Sequence, residues 1–164
     1  MSRPKMKIEL TRLDWGLEII GLAGVISMIT ISLINYQNLP EIIPIHFNAL
    51  GEPDGYSDKA VLWIVVACAL GLYILLTILQ NYPHKFNYLI DITKENGERQ
   101  YRNAILMIRT IKTVITINFL YLTYATIQVS IGKLSGLGTY SLAIFLVTIL
   151  GSISLFGYRS YKLS

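Results

Sequence analysis

Four apolar stretches, each long enough to cross a lipid bilayer as a helix, are the feature that most constrains this chain. They cover approximately residues 15–36, 60–80, 104–130 and 139–158. A hydrocarbon core about 30 Å thick requires roughly 20 apolar residues in helical conformation. The pattern predicts an all-α integral membrane protein with four transmembrane helices, in which residues 1–164 form a single membrane domain.

The distribution of Lys and Arg predicts the orientation of these helices. Of the 14 basic residues, only Lys59 and Lys133 lie in the first and third connections; the other twelve precede the first stretch, follow the fourth, or lie between the second stretch and the fully apolar part of the third, which begins near Val114. Lys and Arg are enriched on the cytoplasmic side of membrane proteins. We therefore expect both termini and the loop 81–103 in the cytoplasm, with loops 37–59 and 131–138 outside.

The amino-acid composition favours a lipid partner over a nucleic acid. Only 15% of the residues are charged, against about 25% in a usual soluble domain. The net charge of +4 is accounted for by the bias toward one side, and no nucleic-acid-binding motif is present. The predicted partner is thus the lipid bilayer and not a nucleic acid. Cys68, the single cysteine, permits neither an intramolecular disulfide nor a thiolate metal cage.

The loop 37–59 carries the strongest local signals. Pro40 and Pro44 favour extended backbone, and three apolar residues alternate with others from Ile43 to Phe47, as in a short strand with one buried face. The run 53–55, Pro-Asp-Gly, is typical of a turn. We expect an ordered loop that folds over the outer ends of the helices.

Two motifs give a resemblance to a known family. The outward motif comprises Pro40, Pro44, His46, Phe47, Asn48, Gly51, Pro53, Asp54, Gly55 and Lys59. The cytoplasmic motif comprises Pro83, Phe86, Asn87, Tyr88, Asn96, Arg99 and Tyr101. Over residues of about 15–130 the chain resembles the bacterial membrane family known as domain of unknown function sixteen-forty-eight. That domain also forms the N-terminal part of the immunity protein against the sporulation-delaying toxin. The resemblance implies a four-helix fold in a bacterial cytoplasmic membrane, with no settled chemistry.

Charged and polar residues inside the apolar stretches have two interpretations. Glu18 is either a functional acid within the membrane or the partner of a base such as Arg12 or Lys112. Arg109 and Lys112 are expected near the headgroups, where long side chains can reach water. The third stretch also carries Asn118, Gln128 and several threonines, which predict hydrogen bonds between helices more than a conduction path. Thr93 is a plausible N-cap for the helix that contains this stretch.

Three function classes are compatible with the sequence. The favoured one is a non-enzymatic sensing, regulatory or immunity-type protein that binds a membrane protein or peptide through its outward loop. A metal-dependent membrane enzyme would need His46, Glu52 and Asp54 to converge; otherwise His46 and Asn48 hydrogen-bond the backbone of the loop. A transporter component would require a homo-oligomer, because four helices are few and no charge pair within the membrane is evident. No cofactor or metal is predicted. The cytoplasmic motif either docks a partner or closes the inner end of the bundle.

Overall fold

The computed structural model describes residues 3 and 5–163, and within them four long helices follow one another along the chain. These are α1 (Arg12–Asn35), α2 (Val61–Leu79), α3 (Gly97–Ser130) and α4 (Ser141–Lys162). All four are long and apolar enough to cross a membrane, as the four apolar stretches predict. Short 3-10 turns, Tyr36–Asn38 and Pro83–Lys85, follow α1 and α2.

The fold is mostly helical but not all-α, because a β-hairpin connects α1 to α2. Strand β1 (Ile42–Phe47) pairs antiparallel with β2 (Pro53–Asp58). We call residues 42–58 the hairpin, and the end of the bundle that carries it the hairpin end. The connection between α3 and α4 lies at the same end, since the Leu137 amide donates to the Gly51 carbonyl at 2.7 Å.

Both terminal segments lie at the opposite end, which we call the terminal end. The Arg3 guanidinium donates to the carbonyl of Phe86 in the α2–α3 connection. The Gln100 amide, early in α3, donates to the carbonyl of Ser160, late in α4, at 2.8 Å. The helices therefore alternate in direction, so that α1 runs parallel to α3.

Helix starts follow local capping chemistry. The Thr11 hydroxyl accepts from the Asp14 amide, and the Asp14 carboxylate accepts from the Thr11 amide, which is a capping box at the start of α1. The prediction of Thr93 as N-cap of the third helix is wrong, because Asn96 occupies the capping position of α3. Thr93 instead stabilises the preceding turn: its hydroxyl accepts from the amides of Glu95 and Asn96.

Helix α3 is the centre of the bundle and contacts the other three helices. Its contact with α1 is close because α1 presents glycine: a Cβ on Gly24 would lie 2.9 Å from Thr116 Cγ2. The Thr113 hydroxyl, with a single proton, lies 3.1 Å from the Leu17 carbonyl on α1 and 2.9 Å from the Arg109 carbonyl of its own helix, so the predicted hydrogen bond between helices is shared with one inside α3. The predicted bond to another helix is not formed by the Asn118 side-chain nitrogen, which donates to the Val114 carbonyl of its own helix.

The hairpin corrects two details predicted from the loop sequence. Burial does not alternate along β1, since Ile43 and Pro44 are both buried and Ile45 is exposed. The reason is a bulge: Pro44 pairs with Tyr56 and His46 with Gly55, so Ile45 has no partner in the register. The predicted turn at residues 53–55 is also wrong, because these residues belong to β2. The chain reverses before them, near Gly51, whose φ of +79° suits glycine.

Candidate functional site

The hairpin brings His46 and Asp54 of the outward motif together. Their Nδ1 and Oδ1 atoms lie 2.5 Å apart across the two strands, and both side chains are exposed. The register passes from Gly55 directly to Pro53, so Asp54 has no opposite residue. An exposed pair of this kind stabilises a fold by about 0–1 kcal/mol. The His46 side chain thus bonds Asp54, and not the backbone of the loop as the sequence led us to expect.

Asn48 holds the turn between the strands. Its side-chain oxygen accepts from the backbone amides of Leu50 at 2.9 Å and Glu52 at 3.0 Å, as predicted for this residue. Its side-chain nitrogen donates to the Glu52 carboxylate at 3.0 Å. Glu52 is thus bonded to Asn48, while Asp54 is bonded to His46. Among the described residues, no group of three or more His, Cys, Asp or Glu side chains is arranged to hold a metal ion.

The base of the hairpin is tied to the bundle by charge and by apolar packing. The Lys59 ammonium donates to the Glu41 carboxylate at 3.0 Å and lies 5.4 Å from the centre of the Tyr36 ring. Beneath the strands, Leu39 and Ile43 are buried in a cluster with Leu62 of α2 and Ile127 of α3. Of the remaining outward-motif residues, Pro40 is exposed, Pro44 is buried, and Phe47 and Pro53 are half-buried as a register pair.

Glycines dock the hairpin turn on the α3–α4 connection. A Cβ on Gly136 would lie 2.1 Å from the Gly51 carbonyl oxygen, and one on Gly51 would lie 2.6 Å from the Gly138 carbonyl oxygen. The Tyr121 hydroxyl on α3 donates to the Leu137 carbonyl at 2.6 Å and holds this connection in place. The glycine-rich run 132–138 was the sequence signal for such a contact, although nothing in it indicates Gly51 as the partner.

The outer surface of the hairpin is both apolar and acidic. Four large apolar side chains there are 46–58% exposed: Ile42, Ile45, Leu50 and Tyr56. Four exposed acids are interleaved with them or flank them: Glu41, Glu52, Asp54 and Asp58. Against these, Lys59 is the single basic residue of 37–59. We call these four apolar and four acidic residues the hairpin surface.

A second polar cluster lies inside the bundle near the terminal end. The Arg109 guanidinium lies 2.6 Å from Asp14 Oδ1 and 3.2 Å from Glu18 Oε1. The Lys112 ammonium lies 2.7 Å and 2.9 Å from the two Glu18 oxygens. We call these four residues the buried charge network. The predicted pairing of Glu18 with Lys112 is confirmed.

Two other predictions about these bases are wrong. The side chains of Arg109 and Lys112 do not reach water, since both are buried and Lys112 is 0% exposed. An ion pair within the predicted membrane spans also exists, where none was evident from the sequence. The physical reason is that Asp14 and Glu18 on α1 lie level with the bases on the parallel helix α3. Helix α2 adds the Thr77 hydroxyl at 3.0 Å and the Tyr73 ring at 4.8 Å from the Lys112 ammonium.

Residues of the cytoplasmic motif pack on one another at the terminal end. The Tyr88 hydroxyl donates to the Pro83 carbonyl at 3.0 Å, and its ring stacks on Phe86 and contacts Tyr101. Arg3 lies over the Tyr88 ring at 5.3 Å. Burial raises the pKa of the Tyr88 phenol far above its usual range, so this hydroxyl stays protonated as a donor.

The other motif residues divide between the turn and the surface. Asn96 is buried, and its side chain accepts from the Thr93 amide and donates to the Asp91 carbonyl. Asn87 and Arg99 are exposed. This packing holds the α2–α3 connection against the start of α3.

The hairpin lies in a segment of the chain that is similar to a known sequence family. The family model described as "Domain of unknown function (DUF1648)" matches residues 23–70, which hold about half of α1, the hairpin and about half of α2. An uncharacterised protein of the archaeon Archaeoglobus fulgidus is similar, with 28% identity over 132 residues that cover 70% of each chain. No solved structure matches. The similarity to the toxin immunity protein stays a prediction.

Proposed function

We propose that the protein is a multi-pass protein of the bacterial cytoplasmic membrane, with its terminal end in the cytoplasm and the hairpin outside. Support comes from the alternating helices together with the charge distribution. Twelve of the 14 Lys and Arg residues fall in segments at or near the terminal end. Even without Arg109 and Lys112, whose charges are neutralised by Asp14 and Glu18, the excess of basic residues points to that side.

We further propose that the protein is non-enzymatic and acts in sensing, regulation or immunity by binding a partner through the hairpin surface. The observation that carries this proposal is the combination of four large exposed apolar residues with three acids on one short hairpin and a fourth, Glu41, directly before it. Apolar side chains supply binding energy when a partner covers them, and a charge excess selects and steers the partner. The partner that fits is a peptide or extracytoplasmic protein segment with basic and apolar side chains.

The two alternatives have weaker structural support. For a metal-dependent enzyme, His46, Glu52 and Asp54 would have to converge, whereas Glu52 is bonded to Asn48 away from the His46–Asp54 pair. For a transporter, the buried charge network supplies a polar element inside the bundle. Its two acids and two bases neutralise one another, and each of the four helices is continuous, without the break typical of transporter binding sites.

A binding measurement with the protein in lipid nanodiscs tests the proposal. The probes are a cationic amphipathic peptide and a matched peptide in which Glu replaces each basic residue. We expect the cationic peptide to bind and the acidic one not to bind, with affinity that falls as salt rises. Ile45→Asn and Tyr56→Asn on the hairpin surface should each weaken binding by about tenfold, as expected for an apolar contact that contributes about 1.4 kcal/mol.

The matched control is Leu134→Asn, at an exposed apolar residue of the α3–α4 connection outside the hairpin surface. It should leave the affinity unchanged. Equal loss for Leu134→Asn and Ile45→Asn, or equal binding of both peptides, would show that the peptide adsorbs to the particle and not to the hairpin. In cells, expression of the parent should raise tolerance to such a peptide, and the Tyr56→Asn variant should not.

A further inference from the structure

A cavity of about 530 Å³ at the terminal end lies directly against the buried charge network. It is bounded by the end of α2, by one face each of α1 and α3, and by the segment 6–10 that precedes α1. One part of its wall is polar and is formed by Glu18, Gln80 and Arg109. Another part is apolar and includes Trp15 and Ile105. The cavity therefore offers both polar and apolar side chains to one ligand.

The polar wall has an unused hydrogen-bond donor. Gln80 is only 7% exposed, and its side-chain oxygen accepts from Arg109 Nε at 3.2 Å. Because arginine is solely a donor, this contact fixes the orientation of the amide and leaves the Gln80 nitrogen on the other side. That nitrogen donates to none of the described residues, although Gln80 lines the cavity. A donor amide in the cavity wall, with no acceptor among the described residues, favours a ligand with acceptor oxygens.

The charges around the cavity favour an anion. The carboxylates of Asp14 and Glu18 are both occupied by Arg109 and Lys112, and the four charges sum to zero. Lys7, which also lines the cavity, is exposed and has no ion pair with any described acid at 4 Å or less. The local balance is thus one positive charge beside a donor amide.

The cavity lies where a lipid headgroup would reach it. Trp15, at the start of the first span, lines the cavity and is 55% exposed; tryptophan at such a position is typical of the membrane interface. Leu10, also in the cavity wall, and Leu13 nearby are exposed as well. Basic pockets at the ends of membrane helices on the cytoplasmic side are suited to anionic headgroups.

We propose that this cavity binds the phosphodiester headgroup of an anionic phospholipid of the inner leaflet. Lys7 supplies the charge, Gln80 donates a hydrogen bond to a phosphate oxygen, and the apolar wall accommodates the start of the acyl chains. This lipid site rests on the proposed membrane orientation but not on the proposed role of the hairpin. The lipid site and the partner-binding role of the hairpin can therefore be refuted separately.

Trp15 makes binding directly observable. In a Trp63→Phe background, Trp15 is the remaining tryptophan of the chain. The protein in neutral detergent is titrated with short-chain phosphatidylglycerol, short-chain phosphatidylcholine or inorganic phosphate, and Trp15 fluorescence is followed. We expect saturable binding of phosphatidylglycerol, with phosphatidylcholine and inorganic phosphate each at least about tenfold weaker.

Variants test whether the change in Trp15 fluorescence comes from lipid bound in the cavity. Lys7→Gln, a change at an exposed side chain, and Gln80→Leu should each weaken phosphatidylglycerol binding by about tenfold. Lys133→Gln removes an exposed base at the hairpin end and should have no effect. Equal affinity for phosphatidylcholine would overturn the anionic-lipid assignment, as would equal affinity for inorganic phosphate. Unchanged affinity in Lys7→Gln would also refute it, because that variant does not alter the packed interior.

Discussion

Replacing Glu18 by Gln perturbs the buried charge network at its most connected residue. Glu18 accepts two hydrogen bonds from Lys112 and one from Arg109. After the change, Arg109 keeps Asp14 at 2.6 Å, but Lys112 keeps only neutral neighbours, which are the new amide oxygen, the Thr77 hydroxyl and the Tyr73 ring. The variant therefore leaves a fully buried ammonium without a countercharge.

The expected loss of stability in Glu18→Gln follows from the burial of Lys112. Removing one partner of a buried ion pair costs about 3–5 kcal/mol, because the remaining charge is desolvated and unpaired. Lys112 is 0% exposed, so water does not reach it in the folded bundle. Glu18→Gln together with Lys112→Met removes both charges and should lose less stability than Glu18→Gln alone. We expect a coupling free energy of about 2–3 kcal/mol between the two positions.

Equilibrium unfolding in mixed micelles of a mild detergent and sodium dodecyl sulfate, followed by tryptophan fluorescence, gives the free energies of unfolding for this cycle. Glu98→Gln is the matched control, because the Glu98 side chain is 67% exposed and its carboxylate lies 3.6 Å from Arg102. It should cost about 0–1 kcal/mol. If Glu18→Gln were as mild as this control, or if the double variant equalled the sum of the single variants, the network would not couple α1 to α3.

Three further predictions concern the hairpin. Gly55→Ala would place a Cβ 2.9 Å from His46 Cβ, so the strands should separate and protease cleavage of the hairpin should rise, whereas Gly71→Ala, with open space around it, should have no effect. Gly136→Ala would place a Cβ 2.1 Å from the Gly51 carbonyl oxygen, so hydrogen exchange at the Leu137 amide should accelerate; unchanged exchange would contradict this contact. His46→Gln should leave the content of divalent metal in the purified protein unchanged, and a stoichiometric metal lost in this variant would favour the enzyme alternative.

Helix number and approximate position could be predicted from the sequence, because apolar length alone decides them. The burial of Arg109 and Lys112 inside the bundle could not be predicted, since a hydropathy pattern treats a charge as the edge of a span. A usable signal was nevertheless present. Asp14 and Glu18 have an i,i+4 spacing on α1, and Arg109 and Lys112 have an i,i+3 spacing on α3. Two helices that run parallel bring such pairs to the same level.

The hairpin was only partly predictable because its sequence contains two turn signals. Pro-Asp-Gly at 53–55 and the run from Asn48 to Gly51 both favour a chain reversal. The structure uses the second, where the Asn48 side chain bonds two backbone amides and the α3–α4 connection packs on Gly51. That packing is a contact between residues far apart in sequence, so local propensity gave no basis for choosing. Gly55 is then explained by close approach to His46 and not by a left-handed turn.

Labelling of single cysteines in intact cells tests most directly whether the hairpin is displayed outside the membrane. In a Cys68→Ser background, Leu50→Cys places a thiol at an exposed position of the hairpin, and Glu95→Cys places one at an exposed position of the α2–α3 connection. A membrane-impermeant maleimide should label position 50 in intact cells and position 95 only after permeabilisation. Labelling of position 95 but not of position 50 in intact cells would contradict the proposed orientation and, with it, the proposed binding of an extracytoplasmic partner.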